Sequence, residues 1–123
     1  MLAKVGNDGK TGLNAGNPIN FKLVQFNEGM QYNNGVFLIL QPGYYQVTVN
    51  LGDYAPDYTG IDADIMVNNI HGNGFGRGGS VNMASIVKLD LYDSVNIRIR
   101  KGTTGKYDDQ NNSQIQKINI NNY

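Results

Sequence analysis

Cysteine is absent from this 123-residue chain, and histidine and glutamate occur once each, as His71 and Glu28. Without cysteine there is no disulfide scaffold, and redox chemistry says nothing about the compartment. Thiol catalysis is excluded, and hydroxyl nucleophiles need a base and an orienting carboxylate. His71 is the lone candidate base. It opens the glycine-rich stretch HGNGFGRGGS (71–80), where preorganisation is poor, so it reads as a solvent-exposed loop side chain. Glycosidase chemistry needs two carboxylates facing each other across a cleft. Asp62 and Asp64 instead lie side by side on one face of a strand and read as the polar face of an outer strand. The chain is expected not to be an enzyme.

Charge is also scarce. Charged residues make up 16% of the chain, and ten basic side chains cancel ten acidic ones. No overall field draws it to nucleic acid or an anionic membrane. Lys88, Arg98, Arg100, Lys101 and Lys106 form a modest local cluster. It is either a solvated strand face or a patch for an acidic glycan or protein partner. No run approaches the roughly 20 apolar residues of a membrane span. The opening MLAKVGNDGKTG has no apolar core of signal-peptide length. Either the chain does not use that export route or Met1 replaces something longer.

What the chain has in abundance is turn chemistry and period-two alternation. Sixteen glycines, with many asparagines, indicate frequent turns rather than long helices. Tyr45, Val47, Val49 and Leu51 share one strand face, and Gln46, Thr48 and Asn50 the other. Further strands are expected at Ile19–Phe26, Val36–Leu40 and Ile61–Val67, then around Val87–Leu91, Val95–Ile99 and Gln114–Ile120. Asn34-Gly35 is a strong hairpin signal, because both residues tolerate positive φ. The 71–80 stretch reads as a mobile connection, or as ligand contact through Arg77 and Phe75; no helix follows it, so it is not a nucleotide fingerprint. No segment keeps helical spacing, no repeat is visible, and no linker divides residues 1–123, so one all-β domain is expected. Tyr45, Val47, Phe37, Leu89 and Ile97 should form the core.

The spacing of Phe21, Asn27, Tyr32, Phe37, Gly43 and Tyr45 resembles the signature of the complement C1q globular head, within the C1q and tumour-necrosis-factor superfamily. Leu89-Asp90-Leu91-Tyr92-Asp93-Ser94-Val95 looks like that family's Leu-x-x-Gly-Asp-x-Val strand pair, with Tyr92 where Gly is usual. Residues 107–113 resemble its acidic loop before the last strand. The hairpin between Tyr32 and Phe37 is two residues shorter than the family pattern, valines 47 and 49 replace aromatics, and Ile115 stands in place of Phe.

The resemblance implies a ten-stranded jelly-roll β-sandwich that assembles as a homotrimer, often at the head of a fibrous stalk. Outward apolar residues such as Tyr44, Phe26 and Met66 would be covered by closed symmetry. It further implies a non-enzymatic head domain, extracellular or on a cell or virion surface, binding a protein or glycan through its loops. The alternative is a structural trimerisation cap on a microbial or viral appendage. Ligand contact is assigned to Arg77, Arg98 and Arg100. Asp108, Asp109 and Asn111, with Asn112, offer oxygen donors of the kind Ca²⁺ takes. That loop is either a calcium site or a solvated polar turn.

Overall fold

Alternation in the chain becomes pleated strand wherever one set of side chains can be buried. The computed structural model describes residues 2–6, 19–21, 23–52, 61–70, 75–78, 80–101 and 111–119, which hold ten strands and no helix. They are β1 (Leu2–Gly6), β2 (Leu23–Glu28), β3 (Gln31–Asn33), β4 (Val36–Leu38), β5 (Gly43–Gly52), β6 (Ile61–Val67), β7 (Phe75–Gly78), β8 (Ser80–Leu89), β9 (Ser94–Lys101) and β10 (Asn112–Ile118). They form two five-stranded sheets, ordered β2-β1-β10-β5-β8 and β3-β4-β9-β6-β7. Every ladder is antiparallel, and most neighbours are distant in sequence, as in a jelly roll.

The two inner faces meet in one core. Ala3, Val5, Tyr45, Val47, Val49, Val87, Leu89 and Ile115 from the first sheet pack with Phe37, Ala63, Ile65, Val95, Ile97 and Ile99 from the second. All five expected core residues are buried there. Each large aliphatic side chain removed from water stabilises the sandwich by roughly 1.5–3 kcal/mol. Ile19 and Phe21 close one side without belonging to a strand; the Ile19 amide donates to the Ile97 carbonyl at 2.7 Å. The Tyr45 hydroxyl donates to the Gln41 carbonyl at 2.6 Å, tying the 39–42 bend to β5.

Turns follow their side chains. Asn34 and Gly35 both have positive φ (49° and 88°), as the tight turn between β3 and β4 requires. The Asn27 side chain bridges to both backbone groups of Met30, at 2.9 and 3.0 Å, and turns β2 into β3. The hairpin thus spans Tyr32 to Phe37 as expected, and its first arm is a separate short strand, β3, where the sequence indicated only Ile19–Phe26 before the turn.

Two other expectations are corrected, and one strand is added that the sequence did not signal. The glycine-rich 71–80 stretch is not simply a connection: Phe75–Gly78 forms β7 on the edge of β6, and Ser80 already belongs to β8. The opening segment is a strand, β1, which lies between β2 and β10. Asp64 is not solvated. β6 lies between β9 and β7, and Asp64 is only 2% exposed, on the face turned away from the core together with buried Met66 and Asn96.

Candidate functional site

The outer face of the first sheet is built by the residues that the core alternation leaves over. Thr48 stands opposite Gln114 and Ala84, Gln46 opposite Gln116 and Ile86, and Asn50 opposite Asn112 and Asn82. A fourth row joins Ile118, Tyr44 and Lys88. The Asn50 amide donates to Asn112 Oδ1 at 3.0 Å across the ladder. The outward positions of β10 and β5 are therefore uncharged, with Lys4 on β1 beside Gln114, Glu28 on β2 and Lys88 on β8, and Tyr44 (39% exposed) and Ile86 (59% exposed) stand out of the face. Sequence reading identified Gln46, Thr48 and Asn50 as one face but missed Asn82, Ala84 and Ile86. The alternation along β8 is blurred, because Ser85 sits on the inner side and Ala84 and Ile86 on the outer.

The second sheet carries the cationic candidates. Arg98 is exposed on β9 and pairs in register with Asp64 of β6. Arg77 lies in β7 opposite Asp62, within a strand rather than a loop, and Arg100 lies near the end of β9. Asp64 thus stands between the positions of Arg98 and Phe75, so β6 brings Arg77 and Arg98 into one sheet on alternate rows.

Of the expected calcium donors, Asp108 and Asp109 lie outside the described residues. Asn111 is wholly buried just before β10, and Asn112 Oδ1 already accepts from Asn50. No group of three or more His, Asp or Glu side chains suited to a metal occurs among the described residues. His71 also lies outside them. No helix there is long and apolar enough to cross a membrane.

At one end of the sandwich two turns are clasped together. Val67 and Ile70 exchange both backbone hydrogen bonds around Asn68 and Asn69, which have φ of 52° and 61°. The Asn68 side chain donates to Asp93 Oδ1 at 2.9 Å and accepts from the Ser94 amide at 3.0 Å. Asp93 Oδ2 accepts from the Asp90 amide at 2.7 Å. The Asn68 amide and then the Asp90 amide hold the Asp93 carboxyl below its ordinary value. Beside it Tyr92, at φ 68° and 67% exposed, donates its backbone N–H to the Ile39 carbonyl.

The fold has well-matched counterparts among solved structures. Rabbit GITRL superposes with a TM-score of 0.68 at 16% identity, covering 95% of this chain and 93% of that one. Murine APRIL at pH 8.0 gives 0.70 at 8% identity, covering 96% and 100%. Pika GITRL gives 0.66 at 15% identity, covering 98% and 99%. These are ligands of the tumour-necrosis-factor family, in the same fold class as C1q heads, and the chain has their jelly-roll fold. No protein-family model and no curated protein matches it by sequence.

Proposed function

We propose that this tumour-necrosis-factor-like jelly roll is a non-enzymatic recognition head that assembles as a homotrimer and binds a protein or glycan partner outside the cell or on a cell or virion surface. The observation that carries the reading is the outer face of the sheet β2-β1-β10-β5-β8. The outward positions of its β10 and β5 are free of charge, and Tyr44 and Ile86 are exposed on it. Depletion of charge with aromatic and aliphatic side chains standing out is the composition of an interface core. A neutral, hydrogen-bonding face can meet another copy of the chain, and closed symmetry leaves no such face exposed. Full-length similarity to tumour-necrosis-factor-family ligands supports the same shape of assembly.

The opposite sheet then faces outward and is available to a partner, with Arg98 exposed on it and Arg77 and Arg100 as further contacts. Light scattering at micromolar concentration tests the assembly: a particle of three chains is expected, and a stable 13.5 kDa monomer overturns it. Binding that falls at least about tenfold in Arg98→Ala supports contact at that side chain. Calcium held by Asp108, Asp109 and Asn111 is the accompanying proposal. Adding EDTA should lower the melting temperature of the calcium-equilibrated trimer, and an unchanged melting curve removes the metal from the reading.

A further inference from the structure

On the side of the β3–β4 hairpin turned away from the core lies an open depression of about 360 Å³, lined by Gln31, Asn33, Asn34, Val36 and Leu38. Register produces this lining. Tyr32 pairs with Phe37, and their rings lie 4.7 Å apart on the inner side. The flanking pairs, Gln31 with Leu38 and Asn33 with Val36, must then face outward. Val36 and Leu38 are half-buried and make an apolar floor, and the amides of Gln31, Asn33 and Asn34 are exposed at the rim.

The hairpin is held from beneath. The Tyr32 hydroxyl donates to the Phe21 carbonyl at 2.8 Å, and the Gly35 backbone is packed against Ile19. Asn27, Asn50, Asn68 and Asn96 commit their side chains to bonds within the fold. Among the described residues, the three rim amides do not. Uncommitted donors and acceptors on a rigid support are what a recognition site needs.

The lining decides the ligand class. No lining residue is charged, so nothing favours a phosphate, a sulfate or a cation. A purely apolar ligand would strip water from three amides without replacing their hydrogen bonds. A peptide strand added to β3 would find an edge of three residues, too short for a useful ladder. A pyranose ring suits the lining better. Its neighbouring hydroxyls both donate and accept, as each primary amide does, and its C–H face can cover Val36 and Leu38. The volume also lies within the roughly 300–1,000 Å³ of small-molecule sites.

We infer that this depression binds an uncharged saccharide unit, with Gln31, Asn33 and Asn34 reading its hydroxyl or N-acetyl groups over the Val36–Leu38 floor. The inference rests on the recognition reading and gives its ligand a chemical class. An open site of this size should bind on the order of 1 mM for a single unit, with several sites per assembly raising avidity.

The test is an NMR titration of the full chain with neutral hexose and N-acetylhexosamine oligosaccharides, with sialylated and sulfated ones as comparators. Neutral ligands should saturate and should perturb the side-chain NH₂ signals of Asn33 and Asn34. Gln31→Ala with Asn33→Ala should weaken binding at least about tenfold, as loss of two ligand hydrogen bonds implies. Because both side chains are exposed, melting temperature and assembly mass should stay unchanged. Absence of any neutral-saccharide binding overturns the inference, as does a double variant that binds like the parent. Binding confined to acidic oligosaccharides and abolished by Arg98→Ala also overturns it, yet leaves the recognition reading standing.

Discussion

Tyr92 occupies a backbone conformation that ordinary side chains avoid. At φ 68° its Cβ is crowded by the following carbonyl, at about 1–2 kcal/mol, and only glycine escapes this freely. The left-handed turn lets the Tyr92 amide reach the Ile39 carbonyl while Asp93 binds back to the Asp90 amide. Tyr92 already carries that cost, so Tyr92→Gly should raise stability by about 1 kcal/mol in denaturant titration, while Tyr92→Val, whose branched Cβ fits that region less well, should lower it. Equal losses in both would show that the ring, not the backbone, matters there. Gly35 is the sharper case. Its φ is 88°, and an added Cβ would lie 2.3 Å from the Ile19 carbonyl oxygen, an atom that cannot move aside. Gly35→Ala should cost about 2 kcal/mol or more, read as a shifted denaturation midpoint with unchanged slope.

Between elements, the clasp joining the 67–70 turn to the 90–94 turn hangs on one carboxylate. Asp93 is held below the ordinary carboxyl value in the folded chain, so its contribution is complete above that value and is lost as acid protonates the folded state. Asp93→Ala should destabilise by about 1 kcal/mol near neutrality, and the gap between variant and parent should close below about pH 4. Melting curves across pH 2.5–7 would read this, and a gap independent of pH would contradict it. How much of each element the sequence revealed follows from the same contacts. β5 and β9 were legible because apolar and polar residues alternate strictly along them. β3 was not, since three residues cannot display a period. β7 was hidden because Phe75-Gly76-Arg77-Gly78 has the composition of a loop and becomes strand only through pairing with Ile61–Asp64. The burial of Asp64 was illegible for a related reason: a carboxylate in an alternating strand reads as solvent-facing, and only the tertiary structure shows it covered.

At the scale of the whole molecule, the proposed trimer rests on the outer face of the sheet β2-β1-β10-β5-β8. Thr48 lies near its centre, between Gln114 and Ala84. Thr48→Glu would bury an unpaired carboxylate in any contact that covers this face, at a cost of several kcal/mol, and should turn the proposed trimer into monomers by light scattering. A trimer that survives Thr48→Glu would place the contact elsewhere. The jelly-roll fold and its two-sheet plan were visible in the sequence, because the Phe21–Tyr45 spacing spans strands that set the core. The candidate sites were not. The hairpin depression arises from a register that the sequence alone did not supply, and Arg77 and Arg98 are drawn into one sheet only by β6. One consequence follows from β1 lying beside β10, with Leu2 against Gln116. The first and last of the ten strands lie side by side, so the first sheet cannot be completed on the ribosome until β10 has been made. Such closure should make refolding slow, in the millisecond-to-second range of β-sandwiches, and should leave chains truncated before Asn112 unable to reach the native state at all.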